Sequence, residues 1–118
     1  MARAIKVADA EGIPPGTMRE VSVEGVEVLV ANVGGQFYAI RNRCPHLNTR
    51  LSRGTLEGQI VTCPSHGSRF DVTDGSVIEW ATKIPGLISK VSQVFRPPRP
   101  ARVYETRVED GGVFILLP

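Results

Sequence analysis

Two short segments, Cys44-Pro45-His46 and Cys63-Pro64-Ser65-His66, hold every cysteine and every histidine of this 118-residue chain. Each segment pairs a thiolate donor with an imidazole donor. Four such ligands from two opposed loops suit an iron–sulfur centre or zinc. A disulfide between Cys44 and Cys63 is the other use for two cysteines, and a reducing cytoplasm disfavours it. A structural zinc site has the right donor set, but zinc sites more often use wider spacings than Cys-x-His. Accidental clustering of four unrelated residues is the third reading. It is weakened because neither residue type occurs elsewhere in the chain.

These loops have to be brought together by the elements around them. Sixteen residues separate His46 from Cys63, enough for a strand–turn–strand excursion, with Gly54 and Gly58 supplying turns. The surrounding pattern is one of short strands and glycine turns. Val21-Ser22-Val23 leads through Glu24-Gly25 into Val26–Val30, a plausible tight hairpin. Gly34-Gly35 precedes the aromatic and β-branched run Gln36–Ile40, and Ile60-Val61-Thr62 is a further short strand. Val103–Val108 alternates again, and Asp110-Gly111-Gly112 turns it into Val113–Leu117. About seven or eight strands are expected, which suits an all-β fold, a small antiparallel barrel or sandwich. One stretch departs from this pattern. Leu87, Ile88, Val91, Val94 and Phe95 follow helical spacing between Pro85 and Pro97, predicting a short helical insertion near 86–95. A helix that short needs a surface to dock on, either the barrel itself or a partner.

The length predicts one domain, residues 1–118, with a core that needs no disulfide staples. Hydrophobic content of 42% with 22% charged residues is ordinary for a soluble globular protein. A net charge of +2 gives no reason to expect nucleic acid as a partner. No apolar run reaches the roughly 20 residues of a membrane span, and Met1–Lys6 lacks a secretory signal's apolar stretch. The expectation is therefore cytoplasmic, with no membrane partner. Charge is uneven along the chain. From Arg41 to Phe70 stand Arg41, Arg43, Arg50, Arg53 and Arg69 against the single acid Glu57, a local +4. This suggests a basic end that steers an acidic partner, with a dispersed, solvated face as the alternative.

The run from Cys44 to Asp71, with Gly75 beyond it, resembles the Rieske family. That family's pattern is Cys-x-His, an interval of about sixteen residues, then Cys-x-x-His-Gly followed by an aromatic and Asp. The matching residues are Cys44, His46, Cys63, His66, Gly67, Phe70 and Asp71. Strand patterns over about 3–79 and 101–117 also look like the small Rieske ferredoxins, whereas Trp80 to about Pro100 is longer than their usual connection.

The resemblance implies one [2Fe–2S] cluster, with Cys44 and Cys63 on one iron and His46 and His66 on the other. Two ferric ions, two sulfides and two thiolates sum to zero, so an added electron costs less than it would on an all-cysteine site at −2. It also implies roles for neighbouring residues. Ser68 would donate to a bridging sulfide, or serve as a plain loop hydroxyl. Phe70 replaces a Tyr of the high-potential class, and Thr49 and Ser65 stand where that class carries an inter-loop disulfide. A potential in the low or middle part of the Rieske range follows. Asn48 stands where many members have Gly, and Asn tolerates positive φ. Pro45 and Pro64 stiffen the loops. Leu47 shields the cluster or makes an ordinary core contact. Pro97-Pro98-Arg99-Pro100 is either a covering loop or a helix stop.

The implied function is that of a one-electron carrier. It would pass electrons from an NAD(P)H-dependent flavin reductase to the terminal oxygenase of a multicomponent aromatic-ring system, and would not itself be an enzyme. No third histidine is present to build a mononuclear iron site, and no Gly-rich dinucleotide fingerprint appears. The alternatives are a small subunit of a larger redox enzyme, such as an assimilatory nitrite reductase, docked through 80–95, or a redox-sensing module.

Overall fold

The computed structural model describes residues 3–45, 48–65, 67–80 and 98–117. The helix expected near 86–95 lies outside them, as do His46, Leu47 and His66.

Eleven strands form in the described residues. They are β1 (Arg3–Asp9), β2 (Met18–Val23), β3 (Val26–Val33), β4 (Gln36–Arg41), β5 (Thr55–Glu57), β6 (Ile60–Thr62), β7 (Arg69–Asp71), β8 (Val77–Glu79), β9 (Val103–Tyr104), β10 (Thr106–Glu109) and β11 (Gly112–Leu117). They pair antiparallel into three sheets, ordered β1-β11-β10, β2-β3-β4-β9 and β5-β6-β7-β8. The count exceeds the seven or eight expected. β5, β7 and β8 are three residues each, too short for alternation to show. Helical structure among the described residues is limited to the 3-10 turns Ala10–Gly12 and Leu51–Arg53. No helix among the described residues is long and apolar enough to cross a membrane.

The hairpins form where the sequence places them. Glu24-Gly25, Gly34-Gly35 and Asp110-Gly111 take positive φ at both central positions. This is the two-residue turn whose twist matches that of paired strands. The alternating run at 103–108 does not form one strand. β9 pairs with β4, and β10 pairs with β11. The chain changes sheets at Glu105, whose carbonyl accepts from Leu116 N at 2.9 Å. Thr106 Oγ1 fixes the crossing by donating to the Phe37 carbonyl at 2.7 Å.

β3 organises the interior. Its residues Val28 to Ala31 are fully buried, so both of its faces are covered, which is why it reads as a nearly unbroken apolar run. Val28 and Val30 pack with Ile13, Ala39, Val113 and Ile115. Leu29 and Ala31 face the other way, into a cluster with Ile40, Leu51, Val61, Phe70 and both cysteines. The middle sheet thus has the terminal sheet on one side and the β5–β8 sheet, which carries the second cysteine loop, on the other.

Candidate metal centre

The two cysteine loops close in the same way. In the first, Cys44 N donates to Thr49 O at 2.8 Å, and Asn48 N donates back to Cys44 O at 2.7 Å. In the second, Cys63 N donates to Ser68 O at 2.8 Å, and Gly67 N donates back to Cys63 O at 3.1 Å. The partners stand five and four positions after the cysteine in both loops. The residue at the fourth position has positive φ in each, 63° at Asn48 and 77° at Gly67. The expectation that Asn keeps the loop path at position 48 is met: it adopts the left-handed conformation that its short polar side chain tolerates.

Each loop is anchored to the core at its base. Cys44 and Cys63 are both 2% exposed and share one apolar cluster with Leu51, Phe70 and Trp80. Phe70 is fully buried, with its ring edge-on to Trp80 at 6.3 Å. It therefore acts as a packing residue beneath the second loop. Buried Asn42 secures the first loop, donating to Ser52 Oγ and accepting from Ser52 N, both at 2.8 Å. Gly54 closes the base of the β5–β6 hairpin, where a Cβ would stand 1.8 Å from Thr62 O. Pro64 is exposed, and Ser68 is buried, its carbonyl closing the second loop.

A side-chain bridge joins the loops. Thr49 Oγ1 and Ser65 Oγ lie 2.7 Å apart. Two hydroxyls thus link the loops at the positions where the high-potential class is expected to carry a disulfide. On the far side of β7, Asp71 accepts from Thr73 N at 2.9 Å, Thr73 Oγ1 at 2.6 Å and Gln59 Nε2 at 2.6 Å. Partial burial pushes its carboxyl pKa up, but the combined hydrogen bonds from Thr73 and Gln59 outweigh this and leave it lowered. Asp71 thereby organises the turn that carries Gly75, whose carbonyl accepts from Ala101 N at 2.8 Å. A Cβ on Gly75 would stand 2.1 Å from Ala101 O. This close approach holds 99–102 beside the first cysteine loop, where Arg99, Pro100 and Arg102 line a cleft with Cys44.

The charge distribution differs from the linear count. Arg43 forms a two-point ion pair with Glu27, its second contact 3.0 Å long. Arg50 reaches Glu27 at 3.3 Å and Glu20 at 3.5 Å, and Arg69 reaches Glu79 at 3.1 Å. The Arg43 hydrogen bond, then its charge and that of Arg50, hold the Glu27 carboxyl below its ordinary pKa, against partial desolvation. Three of the five arginines are therefore met by acids from other strands. Arg41 and Arg53 have no ion pair among the described residues.

Among the described residues no three of His, Cys, Asp and Glu come together. The described part of the expected ligand set is the pair of buried thiols, on loops of matching shape. Two buried sulfur donors on bridged, self-closed loops fit a thiolate-held metal group. The sequence supplies an imidazole donor two residues after the first cysteine and three after the second.

The family described as "Rieske [2Fe-2S] domain" matches residues 3–93. Ferredoxin CarAc of Metapseudomonas resinovorans is 34% identical over 112 residues, covering 94% of this chain and 91% of that protein. The 3-phenylpropionate/cinnamic acid dioxygenase ferredoxin subunit of Escherichia coli O139:H28 is 34% identical over 116 residues, covering 98% and 92%. Among solved structures, a chain in the complex of reduced oxygenase and oxidized ferredoxin in carbazole 1,9a-dioxygenase superposes with a TM-score of 0.77 at 33% identity, covering 95% of this chain and 91% of that one.

Proposed function

Since the chain belongs to the Rieske [2Fe–2S] domain family, we propose that it is the ferredoxin component of a ring-hydroxylating oxygenase system, taking electrons from an NAD(P)H-dependent flavin reductase and delivering them to a terminal oxygenase. It would carry one cluster on the single domain 1–118, with Cys44 and Cys63 on one iron and His46 and His66 on the other. When bound, the cluster supplies reversible one-electron exchange.

The observation that carries this reading is the pair of matching loops, each holding a buried cysteine in a ring of backbone hydrogen bonds. The chain's own residues then have defined tasks. Phe70, Trp80 and Leu51 keep water from the sulfur donors. Asn42 and Ser52 fix the first loop's base, and the Thr49–Ser65 contact fixes the spacing between loops. Ser68, buried on the second loop, is the residue assigned to hydrogen-bond a sulfide. The names of the relatives, ferredoxin components of dioxygenase systems, support an electron carrier and not a catalyst.

Iron and acid-labile sulfide should be found at two each per chain in protein reconstituted anaerobically. Reduction by dithionite should give an electron paramagnetic resonance signal with a lower average g than an all-cysteine cluster gives. His46→Ala should abolish the visible spectrum of the native centre. A spectrum untouched by that substitution would falsify the ligand assignment. The proposed route predicts that a candidate flavin reductase with NAD(P)H reduces the protein, and that a terminal oxygenase reoxidises it.

A further inference from the structure

A basic cleft opens beside the first cysteine loop. Its volume is about 380 Å³, and its lining includes Cys44, Asn48, Arg41, Arg43, Arg99 and Arg102. A second depression shares Arg41, Arg43 and Arg102 and continues the groove toward Tyr104. Arg43 is occupied by Glu27, the one acid bordering this groove, and Glu27 is also held by Arg50. Arg41, Arg99 and Arg102 have no ion pair among the described residues. No residue outside the described set is Asp or Glu, so no side-chain carboxylate of this chain remains there to neutralise them.

The backbone makes this arrangement costly. Arg41 N donates to Arg102 O at 2.8 Å, one step beyond the β4–β9 pairs Ala39–Tyr104 and Ile40–Val103. The two arginines therefore stand opposite each other across the strands. Like charges in that relation are destabilising. Among the described residues, relief comes from the Tyr104 ring, 5.4 Å from the Arg102 guanidinium carbon. Elsewhere in the molecule, Arg3, Arg43, Arg50 and Arg69 are matched with acids. Arg41, Arg99 and Arg102 gather on one wall without an ion pair among the described residues, next to a cysteine of the proposed centre.

We propose that this cleft is the docking site for an acidic surface on the protein that exchanges electrons with this chain. The proposal rests on the electron-carrier reading and specifies the partner's charge and the flank of the centre it approaches. Carboxylates match arginine forks geometrically, and a partner seated there loses repulsion that the free protein retains. The site replaces the five-arginine patch expected from the linear sequence. Arg41 remains from that set, and Arg99 and Arg102 join it from the segment that leads into β9 beside it.

The test uses cluster-loaded protein and fluorescein-labelled decaglutamate as the acidic probe. Polarisation should show binding at an ionic strength of about 10 mM that is lost by about 0.2 M, where the screening length has fallen below about 10 Å. R41Q/R102Q should weaken binding at least about tenfold, as expected when two charges facing a polyanion are removed at low salt. R99Q, on an exposed segment, should weaken it by a smaller factor, and R53Q should leave it unchanged. In stopped flow, decaglutamate should slow ferricyanide oxidation of the dithionite-reduced wild type but not of R41Q/R102Q. Each such oxidation moves one electron from the protein to ferricyanide, giving ferrocyanide.

Equal binding by wild type and R41Q/R102Q would overturn the proposal. So would displacement of the peptide by inorganic phosphate at matched charge concentration, which would make the cleft a small-anion site. Polarisation needs no electron transfer. Peptide binding by a protein that takes up no electron would therefore support the cleft and sink the carrier reading. A protein that cycles electrons but binds no peptide would do the reverse.

Discussion

The hydroxyl bridge between the cysteine loops offers a quantitative test of how the centre is held. Thr49 Oγ1 and Ser65 Oγ are 2.7 Å apart on an exposed edge and 16 positions apart in sequence. A neutral hydrogen bond open to water is worth about 0.5–1 kcal/mol net. Thr49→Val, Ser65→Ala and their combination form a double-mutant cycle whose interaction energy should fall in that range. Unfolding entropy of about 2.1 cal/mol/K per residue gives roughly 0.25 kcal/mol/K for a chain of this size, so the coupling corresponds to about 2–4 °C in Tm. A covalent bridge has a larger effect. T49C/S65C closes a loop of about 17 residues, for which chain entropy predicts about 3 kcal/mol, or roughly 12 °C. The assay is thermal loss of visible absorbance and far-ultraviolet dichroism of cluster-loaded protein at one fixed scan rate, with thiol titration confirming the bridge. The reasoning fails if the single losses add with no coupling. It also fails if the oxidised double-cysteine protein melts no higher than the parent.

Three further outcomes follow from the loops and their supports. Asn48→Val should cost about 1–2 kcal/mol, because a β-branched residue resists the φ of 63° that Asn48 holds, whereas Asn48→Gly should stay within about 0.5 kcal/mol; chemical denaturation reads both. Gly75→Ala should cost about 2–4 kcal/mol, since the new methyl meets the Ala101 carbonyl and the backbone has positive φ; the same variant should enlarge the exposure of 99–102 in hydrogen exchange. Asp71 has a lowered folded pKa, so its contribution is full above the unfolded carboxylate value and disappears as pH falls through the folded one. Wild type should therefore lose stability between about pH 5 and 3 more steeply than Asp71→Asn; equal slopes would remove Asp71 as the cause.

What could be read in advance followed local chemistry. The Glu24-Gly25 and Asp110-Gly111 turns and the β3 run depend on residues close in sequence, and each took the form expected. The conformation of Asn48 followed from its place in the family pattern, where many members carry Gly, together with the tolerance of Asn for positive φ. The sheet change at Glu105 was not visible, because alternation at 103–108 is blind to which neighbour each half pairs with. Nor was the pairing of Arg43 and Arg50 with Glu27, which comes from a different strand. The Asn42–Ser52 clamp leaves no periodic trace, since one buried amide satisfying a 3-10 turn has no repeating pattern. Gly75 could be marked as a turn residue, but its close approach to Ala101 needs the folded chain.

The self-closed loops share one foundation. Each cysteine is stationed by bonds between main-chain atoms, none of which requires a metal ion. Each sulfur donor is thereby tied at once to its own main chain and to the packing that joins the middle sheet to the β5–β8 sheet, so a disturbance of that seam reaches both donors together.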